Sequence, residues 1–187
     1  CHHQYLLQYL ALILHQIHHQ VQGSGSGIDV AASIHGSMFL FQQGIISPLK
    51  PIVPTVIWTG RSAQTGPRVQ RYLQWSNRLQ FVRQSTQLTE EFATNPIDST
   101  NALFQLLVDA AEQADIDYLT PEIIDICRLA RLYNGAAKPS GAGGGDCVIA
   151  FFESTSHQQD FYAHCQQKYD IIAINVSDGV HSTGIVI

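Results

Sequence analysis

The spacing of apolar and polar positions changes period several times along the chain, and each change marks an element. Over residues 4–20, Tyr5, Tyr9, Leu12, Ile13 and Ile17 recur at helical spacing, which predicts a helix with one apolar face. The run Gly23-Ser24-Gly25-Ser26-Gly27 closes it. A second helix is expected to begin near Asp29 and to cover Val30, Ala31, Ala32 and Ile34, with Asp29 as its cap or in its first turn. Gly36 ends that helix, and residues 38–41 read as a strand. Three prolines between Pro48 and Pro54 exclude a central strand there and mark the expected domain boundary.

Beyond the boundary, residues 55–58 predict a strand, and helical patterns follow over 67–80, 100–113 and 121–133. The last of these opens on Thr120-Pro121-Glu122, an N-cap followed by proline at the first helical position. A glycine-rich loop over 140–145, a strand over 147–152, a helix over 156–167 and a strand over 171–176 complete the chain. Strands separated by helices predict a two-layer α/β sandwich, and no internal repeat is present.

Composition narrows the function. Of 187 residues, 45% are hydrophobic, enough for one domain or one and a half. Only 13% are charged, about half the usual share, and Gln, Ser and His carry the remaining polarity. A formal charge of -5 provides no attraction for nucleic acid or an anionic membrane. A phosphorylated small molecule stays open, because such sites are built locally from a few amides and cations. The longest apolar stretch, around Leu10 to Leu14, is too short and too rich in Gln and His to span a bilayer. Cys1, Cys127, Cys147 and Cys165 form no C-x-x-C pair, so reduced thiols in a cytoplasmic protein are expected. The chain starts at Cys1, in what reads as the middle of a helix, which gives the expectation of a fragment.

Two segments carry candidate chemistry. The first is Lys138-Pro139-Ser140-Gly141-Ala142-Gly143-Gly144-Gly145-Asp146-Cys147. Four glycines in six residues permit positive φ and close backbone approach, so successive amides can form an anion-binding nest that Lys138 would reinforce. The alternative is a tight loop that only turns the chain. If the loop binds phosphate, valine at Gly143 or Gly144 is expected to abolish binding while leaving the fold mostly intact. The second is Gly23-Ser24-Gly25-Ser26-Gly27-Ile28-Asp29, which holds an acidic residue where a glycine loop meets a helix. Asp29 could orient a metal, a lysine or an acceptor group, or simply cap the helix. His15, His18 and His19 share one helical face, but no carboxylate or cysteine accompanies them, so no metal site is assigned.

Together these segments resemble the GHMP kinases. The loop over 140–146, preceded by Lys138, is similar to the family's third motif, and the 23–33 segment is similar to the loop bearing its active-site aspartate, which falls on Asp29. The wording of the glycine loop, ending in Asp146, is closest to the phosphomevalonate kinase branch. Trp58-Thr59-Gly60-Arg61-Ser62-Ala63-Gln64-Thr65 is similar to that branch's substrate-side segment. The resemblance runs from about Leu10 to the end. It implies an α+β GHMP kinase-like fold, with residues 1–54 as the end of the N-terminal domain and 55–187 as a ferredoxin-like C-terminal α/β sandwich.

The implied activity is transfer of the ATP γ-phosphoryl group, with Mg²⁺, to phosphomevalonate. Asp29 is the implied catalytic residue, and Lys138, Ser140, Gly141, Ala142, Gly143, Gly144, Gly145, Ser26, Arg61 and Ser62 are the implied substrate or phosphate contacts. The alternatives are another GHMP kinase, such as a mevalonate kinase, or a non-catalytic module that keeps the fold. The pattern departs from the branch at Gln64, where a small hydroxyl residue is usual, and at Ser37, where a second glycine is usual. It also lacks the upstream Pro-x-x-x-Gly-Leu-Gly-Ser-Ser type nucleotide loop. Residues 1–187 alone are therefore expected to be inactive, and the face of the first helix is expected either to meet a missing N-terminal half or to self-associate.

Overall fold

The computed structural model describes residues 27–42 and 44–179, with positions 13, 14, 16, 17 and 20 before them. Most of the helix expected over 4–20, including His15, His18 and His19, lies outside the described residues, as does Ser26. The described chain divides into two compact units, Val53–Ile174 forming one, and the segment from Asn175 onward belonging with the residues before Val53.

In the first unit, Gly27 takes a left-handed φ of 76° and opens helix α1 (Ile28–His35). Asp29 lies in the first turn, exposed, and does not cap the helix. Gly36 ends α1 at φ 59°, and Ser37 follows at φ 55°. That second left-handed residue gives a physical reason for glycine at this position, since a side chain there costs about 1–2 kcal/mol. Strand β1 (Met38–Gln42) pairs antiparallel with β2 (Ile45–Leu49), with Phe39 opposite Pro48. Pro48 is tolerated because each strand of this two-stranded sheet has a free edge among the described residues.

The second unit is built on one helical stripe. Helix α5 (Pro121–Leu132) buries Ile123, Ile126, Cys127 and Ala130, which recur at i, i+3, i+4 and i+7. Its start follows the sequence signal: the Thr120 hydroxyl accepts from the Ile123 amide at 3.3 Å, and Pro121 occupies the first turn. That stripe joins Ile57, Phe104, Ala137, Val148, Ala150 and Phe161 in one core.

The sheet beneath it has the order β4-β5-β3-β6, with β3 (Thr55–Trp58), β4 (Gly135–Pro139), β5 (Cys147–Phe152) and β6 (Asp170–Ile172). All neighbours are antiparallel. Between β3 and β4 the chain forms α2 (Thr65–Gln74), α3 (Arg78–Glu91), α4 (Pro96–Gln113) and α5, and α6 (Thr155–Cys165) joins β5 to β6. This is a ferredoxin-like arrangement, the two-layer sandwich the sequence predicts. Three details differ. The helix expected over 67–80 breaks at Trp75, and α3 continues to Glu91. Strand β4 has no counterpart in the sequence reading. The last strand covers Asp170–Ile172 only.

Candidate active site

The glycine loop leaves β4 at Pro139 and enters β5 at Cys147, and hydrogen bonds pin it on three sides. The Ser140 amide donates to the Cys147 carbonyl at 2.9 Å and closes the base of the loop. Gly144 donates to the Tyr118 carbonyl at 2.7 Å, and Asp146 donates to the Arg61 carbonyl at 2.8 Å. Four consecutive residues, Gly143 (φ 73°), Gly144 (φ 72°), Gly145 (φ 155°) and Asp146 (φ 54°), take positive φ. Only glycine visits such values freely, and Asp is among the few side chains that tolerate the left-handed region. Among the described residues the amides of Gly141, Ala142, Gly143 and Gly145 make no hydrogen bond. Gly143 and Gly145 are buried nonetheless, and buried donors require an acceptor.

The segment after β3 lies directly against this loop. The Thr59 amide donates to the Asp146 carbonyl at 2.9 Å, and the Ala63 amide donates to Asp146 Oδ1 at 3.1 Å. A Cβ on Gly145 would come within 2.8 Å of the Arg61 carbonyl. The structure thus brings together Ser140, Gly141, Ala142, Gly143, Gly144 and Gly145 with Arg61 and Ser62. Asp146 is the hinge between the two segments, through its backbone and its carboxylate. Sequence reasoning used Asp146 only as a mark of resemblance.

The cations sit less simply. Lys138 Nζ donates to the Pro139 carbonyl at 3.0 Å, and burial pulls its ammonium below the usual lysine range. Arg61 Nη2 pairs with Glu122 Oε1 at 2.8 Å on a half-exposed side chain, so its guanidinium already has a counter-ion. Asp29 belongs to the other unit, and Ser26 lies outside the described residues. Arg68, which sequence reasoning missed, places its guanidinium against Gly144.

A cleft of about 200 Å³ opens beside the loop, lined by Arg68, Tyr72, Phe81, Leu107, Ile116 and Gly141. The thiols are structural. Burial pushes Cys127 up to about 12 and Cys165 up to about 11, and Cys127 donates to the Ala137 carbonyl. Cys147 is half-buried. Among the described residues no three His, Cys, Asp or Glu side chains gather as metal ligands. No described helix is long and apolar enough to cross a membrane.

The glycine loop can hold an anion on main-chain donors, and comparisons with known proteins bear on the fold that carries it. Phosphomevalonate kinase from Streptomyces sp. (strain CL190) is 26% identical over 196 residues, covering 83% of this chain and 52% of that protein. The chain therefore spans about half the length of this curated relative. A Lin0012 protein from Listeria innocua matches with a TM-score of 0.69 at 22% identity, over 87% of this chain and 59% of that one. Streptococcus pneumoniae phosphomevalonate kinase in complex with phosphomevalonate and AMPPNP matches at 0.60 and 22% identity, over 73% and 44%. Methanococcus jannaschii mevalonate kinase matches at 0.66 and 15% identity, over 89% and 55%. At these identities the structural likenesses establish the fold. Residues 98–171 match the family described as GHMP kinases C terminal, spanning α4 from Asp98 to β6. Within residues 98–171 the chain carries a GHMP kinase C-terminal domain.

Proposed function

We propose that the chain is the C-terminal portion of a phosphomevalonate kinase, which transfers the γ-phosphoryl group of ATP to phosphomevalonate and yields ADP and diphosphomevalonate. The observation that carries this reading is the run of positive φ from Gly143 to Asp146, which leaves four loop amides unbonded beside the Arg61–Ser62–Ala63 segment. Main-chain donors of this kind suit a phosphate group. The curated relative favours the phosphomevalonate branch. On this reading residues 1–54 are the end of the N-terminal domain and 55–187 the C-terminal domain. Buried or half-buried free thiols at Cys127, Cys147 and Cys165 favour a reducing compartment, the cytoplasm.

The acceptor is itself a phosphate, whose second proton leaves near pH 6. The attacking oxygen is therefore largely ionised at neutral pH, and a strong general base is not required. Asp29 acts by orienting the acceptor or a cation. The larger task is to hold two anions together, which falls to the amides of Gly141, Ala142, Gly143 and Gly145, with Ser140, Ser62 and Lys138 around them. Mg²⁺ would offset charge on the transferred group, with substrate phosphates as its main ligands. Residues 1–187 alone lack the nucleotide loop and should show no phosphoryl transfer. The resemblance of the fold to mevalonate kinases supports a second reading, with mevalonate as acceptor. A coupled ADP-release assay of the complete protein separates them: turnover with phosphomevalonate is expected, and turnover with mevalonate alone would overturn the first reading.

A further inference from the structure

Arg68 stands out because its anchors leave its charge available. Its Nη1 donates to the Gln64 carbonyl at 2.7 Å, and its Nε donates to the Asp117 carbonyl at 3.1 Å. Both acceptors are neutral. Arg61, Arg71 and Arg128 are instead paired with Glu122, Asp115 and Asp125. Among the described residues Arg68 makes no ion pair, and its Nη2 makes no hydrogen bond. That nitrogen occupies the space a side chain on Gly144 would fill, with Nε 2.9 Å from the position of a Cβ. Gly144 lacks a Cβ and has φ 72°, so the guanidinium can lie directly on the loop. The carboxylate in the same loop, Asp146, gives Oδ1 to the Ala63 amide. Gln64 takes part only through its carbonyl, so its departure from the family pattern does not remove this anchor.

We propose that Arg68 is a phosphate-binding residue of this site, with Nη2 and the unbonded amides of the glycine loop gripping one phosphate group from two sides. The proposal rests on the reading of the loop as a phosphate site. A planar guanidinium fixed at two of its nitrogens is already oriented, so little freedom is lost when the third meets an oxyanion. Such charge-assisted bonds are about twice as strong as neutral ones. The ligand class is a phosphate monoester or a phosphoanhydride end.

The test uses the 187-residue chain and inorganic pyrophosphate as probe, followed by amide chemical shifts of Gly141, Gly143 and Gly145, with unfolding temperature measured in parallel. The wild type should bind at those amides. Arg68→Gln should weaken binding about tenfold or more, the scale of one charge-assisted hydrogen bond, and flatten its salt dependence. Arg68→Lys should fall between the two. Both variants lose the same fork of carbonyl contacts, so a purely structural role would weaken them equally. Wild-type affinity in Arg68→Gln, or equal losses in Gln and Lys variants, overturns the role of Arg68 while leaving the loop as an anion site. Absence of wild-type binding overturns the phosphate reading of the loop together with this proposal. If Arg68→Gln does not fold, Arg68→Lys and Gly144→Ala decide, since the added methyl displaces the guanidinium; unchanged affinity in both overturns the proposal.

Discussion

Alanine at Gly143 and alanine at Gly144 should have different consequences, although the two glycines are adjacent and share nearly the same φ. A Cβ at Gly143 would sit 2.6 Å from Cε2 and 2.8 Å from the carbonyl oxygen of Tyr118, a residue only 5% exposed and part of the core. The ring cannot move without displacing its neighbours. Left-handed strain of about 1–2 kcal/mol and overpacking of about 1–3 kcal/mol combine to roughly 2–5 kcal/mol. At Gly144 the obstacle is the end of the Arg68 side chain, which can swing away by giving up its exposed bonds to the Gln64 and Asp117 carbonyls, so strain of about 1–2 kcal/mol is the main cost. Urea unfolding of the 187-residue chain measures this. With an m-value of about 2 kcal/mol/M, Gly143→Ala should lower the midpoint by about 1–2.5 M and Gly144→Ala by less than about 1 M. Equal midpoints, or a larger loss at Gly144, would refute the packing argument. The same contacts revise the sequence-based expectation for valine: at Gly143 it should disturb the fold as well as ligand binding, and only at Gly144 should the two effects separate.

Two further outcomes are expected. Asp125 is held well below the usual carboxylate range, first by its bond to Lys168 and then by Arg128 and Tyr169. A depressed carboxyl adds stability that is present above its unfolded pKa and lost as pH falls, so Asp125→Asn should flatten the decline of Tm below about pH 4. The exposed partners limit the effect near neutral pH to about 1 kcal/mol, and an unchanged acid limb would contradict it. Asp29→Ala in the complete enzyme should lower kcat far more than substrate affinity. Because Asp29 does not cap α1, it should cost only about 0.3–1 kcal/mol of stability through the helix dipole; near-normal turnover would remove Asp29 from the mechanism.

Local signals were legible and long-range ones were not. The stripe of α5, its Thr120–Pro121 start, and strands β3 and β5 follow from spacing and capping alone. Strand β4 does not, because Gly135, Ala136, Ala137 and Pro139 have weak strand propensity. Its conformation comes from the ladder that β5 offers it. The break between α2 and α3 is likewise tertiary in part, with Asn77 Nδ2 donating to Gln113 Oε1 at the end of α4. Strand β2 hid behind Pro48, which an edge strand admits. At the site, the glycine run announced positive φ, and the structure adds which amides are spent and which are not. The bond from Ala63 to Asp146 spans 83 residues and that from Arg68 to Asp117 spans 49, separations that no local pattern encodes.

The central proposal is that this chain is part of an enzyme whose acceptor is a phosphate group. Phosphorus NMR of the complete protein with ATP, Mg²⁺ and phosphomevalonate tests it without a coupling enzyme. The account predicts that the monoester resonance is replaced by the paired resonances of a diphosphate as ADP accumulates, and that mevalonate in the same tube stays unphosphorylated. Growth of a new monoester from mevalonate, with phosphomevalonate left intact, would contradict it.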